Sequence, residues 1–120
     1  IEVIDRDGRF RGGVIAPGVQ TSANALFTHG AQLPDIALVA PPAVIGTNTV
    51  EAIQSGIMLG EAARVDGLVR RIFDQLGYPA KVIATGGLAP VVERYSSTID
   101  EVNTELTLEG LRLIADRAYR

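Results

Sequence analysis

The stretch Val82-Ile83-Ala84-Thr85-Gly86-Gly87-Leu88-Ala89-Pro90 decides how the rest of the chain is read. Lys81–Ala84 is short, apolar and rich in β-branching, as a buried parallel strand should be. Thr85-Gly86-Gly87 breaks that strand. Leu88–Tyr95 resumes with a helical pattern that carries Pro90 in its first turn, where a missing N–H costs little. The stretch therefore reads as a strand–Gly-Gly–helix corner. In open α/β sheets ligands lie at the carboxyl ends of strands. Two glycines at that point remove two Cβ atoms and let a flat ligand lie on the backbone. A tight turn that needs positive φ explains the same residues without a ligand, and the corner alone does not separate the two.

Working back to the amino terminus, Ile1–Ile4 reads as a strand, Asp5-Arg6-Asp7-Gly8 as an Asp-Gly hairpin turn, and Arg9–Ala16 as the returning strand. Gly12-Gly13 inside the second strand marks a bulge or a close approach. Val19–Phe27 is helical, with Val19, Ala23, Leu26 and Phe27 on one face. Thr28–Pro42 is a connection with a short edge strand at Ile36–Val39, and its His29 reads as a solvent-exposed side chain.

Asn48 is a good N-cap, and Glu51 three residues on completes a capping box. From there apolar residues recur at Val50, Ile53, Ile57 with Met58, Ala62, Val65, Val69, Ile72 and Leu76, up to a stop at Gly77. The pattern predicts one helix of roughly 29 residues, about 43 Å long. Gly56, Gly60 and Gly67 lie inside it, each costing about 1 kcal/mol against alanine. Either close packing against another backbone or a break into two helices accounts for them. Beyond the corner, Ser96-Ser97 is a loop, Thr98–Val102 a strand and Thr107–Tyr119 a helix with Leu111, Ile114, Ala115 and Ala118 on one face.

A hairpin followed by alternating helices and strands predicts a mixed sheet covered on both faces. One domain over residues 1–120 fits the length. The chain is 47% hydrophobic with a mean hydropathy of +0.22, which points to surface buried against another domain or another copy. Because Ile1 already reads as mid-strand and no Met precedes it, the chain is expected to be part of a larger protein.

Net charge is −3, no basic stripe exists, and aromatics are 5% of the residues, so nucleic-acid binding has no support. With no cysteine and one histidine, neither a disulfide framework nor a thiolate or multi-His metal site is available. That composition is compatible with a reducing cytoplasm. No apolar run in these 120 residues is long enough to span a membrane, and none reads as a signal peptide.

Four motifs fall in order: Gly-Gly-x-Ile-x-Pro-Gly at 12–18, Gly-x-Asn-Thr-x-x-Ala-x-x-x-Gly at 46–56, Ala-Thr-Gly-Gly-Leu-Ala-Pro at 84–90, and Leu-Thr-Leu-Glu-Gly-Leu at 106–111. Together they resemble the C-terminal half of type III pantothenate kinase, a family of the acetate and sugar kinase/Hsp70/actin superfamily. The resemblance implies the second of two ribonuclease-H-like domains. It also implies ATP in the cleft between them and transfer of the γ-phosphoryl group to the 4′-hydroxyl of pantothenate, the first step of coenzyme A biosynthesis. A cytoplasmic homodimer using Mg²⁺ and a monovalent cation, K⁺ or NH₄⁺, belongs to the same implication. By that resemblance Thr85, Gly86 and Gly87 are the nucleotide-binding residues, and Thr49, Gly13 and Ile15 the substrate-binding ones. Two bland roles remain beside these: Thr49 as part of the helix cap, and Gly12-Gly13 as a bulge.

The family's first phosphate loop, Asp-x-Gly-Asn-Thr, is absent from this sequence, and so is its Gly-Ala-Asp-Arg motif with the catalytic aspartate. The Gly-Thr-Ala strand of the second phosphate loop is expected just ahead of Ile1. The fragment thus has no catalytic residue of its own, no metal ligand, and half an active site. A sugar-kinase-like phosphotransferase with another acceptor and a non-catalytic regulatory relative are the alternatives.

Overall fold

The computed structural model describes residues 1–29 and 36–120. Residues 30–35, with Pro34, and the His29 side chain lie outside what is described. The hairpin is β1 (Glu2–Ile4) and β2 (Phe10–Gly13), antiparallel, with a bulge after Val3. Its turn is wider than a two-residue type. Asp5 caps it, its carboxylate accepting from the N–H groups of Asp7 and Arg9 while Gly8 sits at φ 76°. Gly12 takes φ 105°, and a methyl group at Gly13 would lie 2.0 Å from the Ile1 carbonyl oxygen. The two glycines thus serve bulge and close approach together. The backbone N–H of Arg6 donates to the Tyr78 hydroxyl, and the Arg6 guanidinium lies 3.9 Å over the Tyr78 ring, which ties the hairpin to the helix end behind it.

Helix α1 spans Val19–His29. Val19 and Ala23 are buried and Phe27 packs against them, but Leu26 is exposed, so the predicted face is narrower than its spacing implied. Ile36 is buried, yet Ile36–Val39 forms no strand. Val39 N–H turns back onto the Ala37 carbonyl, and Ala37 also accepts from the Gln54 side chain.

The long helix keeps its ends and changes in its middle. Helix α2 (Thr49–Gln54) runs into one wider π-turn (Ser55–Leu59) and then α3 (Gly60–Leu76). The sequence holds the reason. The apolar stripe steps by four from Ile53 to Ile57 and by four again from Met58 to Ala62, so the adjacent pair Ile57-Met58 contains one residue too many for a single α-stripe. A π-turn absorbs such a residue, and both Ile57 and Met58 are buried. Gly77 at φ 79° closes α3 as expected. Methyl groups at Gly56, Gly60 and Gly67 would meet nothing within 4 Å, so no described backbone packs against them.

The carboxyl half holds β3 (Ile83–Ala84), α4 (Ala89–Glu93, Pro90 in its first turn), β4 (Glu101–Val102) and α5 (Leu106–Ala118). β3 and β4 are parallel. The single mixed sheet expected from the sequence is therefore seen as two separate two-stranded ladders, β1–β2 and β3–β4. The fold is mixed α/β, its core a seam in which α1 crosses the π-turn and α4 leans on α3, joining Val19, Ala23, Ile57, Met58, Ala62 and Val92. No residue of α5 is buried, and the predicted face Leu111–Ala118 is open. A compact chain of this mass exposes about 6,200 Å², whereas this one exposes 8525 Å² with a radius of gyration of 17.1 Å. Among the described residues no helix is long and apolar enough to cross a membrane.

Candidate functional site

Two grooves flank the long helix. The larger, about 1060 Å³, runs between β1 and the β3 corner. Ile1–Ile4 form one wall, Lys81–Gly87 the other, and Val65, Val69, Ile72 and Leu76 of α3 the floor. Both walls are strand edges. Ile1 and Val14 exchange both backbone hydrogen bonds, so by the alternation of an antiparallel ladder Glu2 aims its N–H and C=O away from β2. Val82 and Ala84 spend their carbonyls on Asp100, Glu101 and Asn103 of the β4 side, which leaves those of Ile83 aimed away from β4.

The corner lies on this groove. Gly86 adopts φ 100°, and Ala89 N–H closes the turn onto its carbonyl. Thr85, Gly86 and Gly87 are exposed, and a methyl at Gly87 would meet open space. The amide N–H groups of Gly86 and Gly87 have no acceptor among the described residues. Positive φ thus requires a glycine at 86 only. Gly87 leaves room that the turn itself does not need.

Thr49 lies elsewhere, in the second groove of about 910 Å³ between α1 and the long helix, beside Ala25, Ala52, Gly56 and Gly60. The cap is Asn48, whose Oδ1 accepts the Glu51 N–H at 2.9 Å. The Glu51 carboxylate does not return to Asn48 as a capping box would. It accepts instead from the N–H and hydroxyl of Thr47, bonds that hold its carboxyl below the ordinary range. The Thr49 hydroxyl has no partner among the described residues and is exposed. Gly46 is there for contact, since a methyl would lie 2.4 Å from Ala52 N. Gly13 and Ile15 line neither groove, and Ile15 is fully exposed. The structure therefore gathers Thr85, Gly86 and Gly87 and keeps Thr49, Gly13 and Ile15 apart from them.

One buried charge escaped the sequence reading. Asp66 on α3 is 7% exposed, and its carboxylate is bonded to Ser96, Ser97 and Thr98. Burial pushes its pKa up, but donors from all three residues outweigh that and hold it well below the usual carboxylate range. The signal was present: an aspartate in the apolar stripe, four residues after Ala62 and three before Val69, with a Ser-Ser-Thr run to satisfy it. Among the described residues no three His, Cys, Asp or Glu side chains converge to hold a metal ion.

This mixed α/β chain thus presents a glycine corner to an open cleft and leaves much of its surface uncovered. A sequence model of the type III pantothenate kinase family matches residues 1–71. A type III pantothenate kinase of Desulfosudis oleivorans is 49% identical over 118 residues, covering 98% of this chain and 46% of the relative. Those of an Exiguobacterium strain and of Saccharopolyspora erythraea are each 51% identical, over 95% and 99% of this chain and 44% and 46% of the relatives. The chain belongs to the type III pantothenate kinase family, and it spans about half the length of the relatives it matches.

Proposed function

We propose that this chain is the C-terminal, ribonuclease-H-like domain of an ATP-dependent kinase that phosphorylates pantothenate at its 4′-hydroxyl. The observation that carries the reading is identity of about one half, sustained over nearly the whole chain, with proteins named for that activity. Their shared name favours pantothenate over a sugar acceptor.

The geometry supports the domain assignment. One further strand laid between β1 and β3, over the apolar floor of α3, would join the two ladders into the single sheet that a ribonuclease-H-like plan requires. The uncovered area and the bare face of α5 fit burial against a second domain. On this reading Thr85, Gly86 and Gly87 receive the adenosine side of ATP, because the corner offers free amides and a Cβ-free surface to the cleft. Thr49 offers the pantothenate side an unengaged hydroxyl. Gly13 and Ile15 line neither groove, so their assignment to the substrate side rests on the family resemblance, and Gly13 also answers to contact with Ile1.

Phosphoryl transfer is mostly positioning and neutralisation of charge. Mg²⁺ at such sites takes one or two carboxylates plus the substrate phosphates, and no residue of this chain is assigned to that role. Residues 1–120 alone are inactive on this account. The homodimer places the small-residue face of α1 and the long helix at the partner, and the protein is cytoplasmic. Pantothenate-dependent ADP release by the intact protein, measured against sugar acceptors, tests the function. Release with a sugar but not with pantothenate would overturn it.

A further inference from the structure

Asp66 accepts five hydrogen bonds from three successive residues. Oδ1 receives the Ser96 hydroxyl at 2.6 Å, the Thr98 hydroxyl at 2.7 Å and the Thr98 N–H at 3.2 Å. Oδ2 receives the N–H and the hydroxyl of Ser97, both at 2.8 Å. The polarity of the cluster is fixed. Ser96 gives its proton to Asp66 and accepts from the N–H groups of Thr98 and Ile99, while Ser97 does likewise and accepts from Arg70, one turn beyond Asp66. Five donors converge on one carboxylate, and no described group in the cluster is left to accept a proton from it.

What this clamp holds is the far end of the corner. Helix α4 has five residues, too few to stand alone. Its start is fixed by Ala89 N–H on the Gly86 carbonyl, and its end runs within three residues into Ser96–Thr98. β4 follows directly and carries β3, the strand that delivers Thr85. The Gly86-Gly87 turn is therefore hung between two pieces, α4 and β3, and both are referred to α3 through Asp66. We infer that Asp66 is a positioning residue for the nucleotide: it sets the height of the Gly86-Gly87 turn over the groove without touching the ligand. This rests on reading the corner as the adenosine contact.

The test is made in the intact kinase, with Asp66→Asn beside Gly87→Val. An amide accepts on one side only, so Asp66→Asn leaves either Ser97 or the pair Ser96 and Thr98 poorly held. KM for ATP should rise about tenfold, within the range that a misplacement of about 1 Å produces, while KM for pantothenate stays within about twofold. A melting temperature that falls with both KM values unchanged would overturn the inference and leave Asp66 a structural residue. If Asp66→Asn does not fold, Thr98→Val removes one bond and leaves the backbone donor. It should raise the ATP KM selectively by about twofold, and no selective rise overturns the inference. Gly87→Val separates the two levels. Weakened ATP binding in Gly87→Val with none in Asp66→Asn sinks only the positioning role, whereas unchanged ATP binding in a folded Gly87→Val sinks the corner reading and the positioning role with it.

Discussion

Replacing Gly46 by alanine adds one methyl group where none fits. The new Cβ would stand 2.4 Å from Ala52 N, 2.6 Å from the Glu51 carbonyl carbon and 2.8 Å from Ala52 Cα, all backbone atoms that cannot rotate aside. Ordinary contact begins near 3.4 Å, so the 44–47 segment must lift by about 1 Å from the first turn of α2. Three short bonds cross that gap: Thr47 N–H to Glu51 at 2.8 Å, the Thr47 hydroxyl to Glu51 at 2.9 Å, and the Ser55 hydroxyl to the Val44 carbonyl at 2.6 Å. Lifted by 1 Å, each passes beyond hydrogen-bond range. Overpacking of this kind costs about 1–3 kcal/mol, and loss of these bonds adds about 1 kcal/mol. In a protein of its relatives' length, about twice this chain, Gly46→Ala should lower the melting temperature by roughly 4–16 °C. KM for pantothenate should rise with it, since Thr49 rides on the same turn, and KM for ATP should hold. Melting by circular dichroism and steady-state kinetics on one preparation measure both. A fall below about 1 °C would refute the contact, and an equal rise in both KM values would refute the separation of the two grooves.

Asn48→Ala should cost about 1 kcal/mol by denaturant unfolding with a small kinetic effect. Thr49→Ala should cost much less stability yet raise KM for pantothenate, and the reverse pattern would return Thr49 to the cap. Because Asp66 is held below its unfolded value, its stabilisation is present above the ordinary aspartate range and is lost as pH falls below about 4. Unfolding curves between pH 5 and 2 should therefore be shallower for Asp66→Asn than for the parent, and parallel curves would count against the clamp. If the protein forms the proposed homodimer, Gly56→Leu or Gly60→Leu fills the open face of the long helix and should shift it toward monomer in light scattering at tens of micromolar, whereas a dimer unaltered by either change would move the interface elsewhere.

The corner, the hairpin and the ends of the long helix were legible because each depends on local chemistry: Gly86 and Gly77 at positive φ, Asn48 as a cap, Asp5-Arg6-Asp7-Gly8 as a turn. The π-turn was written in the sequence as the pair Ile57-Met58 and passed over, because a stripe with spacings of three and four hides one extra residue. Strand lengths came out shorter than Arg9–Ala16 and Thr98–Val102 imply, since strand residues need neighbours and these ladders have one each. The spacing of Asp66 from Ala62 and Val69 puts it in the buried stripe, but its partners lie thirty residues away in a run that looks like an ordinary loop, so periodicity alone does not pair them. Leu111 and Ile114 stand exposed on α5, and no described element covers the face their spacing predicts.

The two unpaired strand edges have a practical consequence for anyone handling this polypeptide by itself. A row of free N–H and C=O groups beside an apolar trough is a template for any extended chain that meets it. Nascent or isolated copies can satisfy Glu2 and Ile83 with one another's backbones, and such stacking builds without limit. Co-expression with whatever strand belongs in the trough is then a matter of solubility before it is a matter of activity.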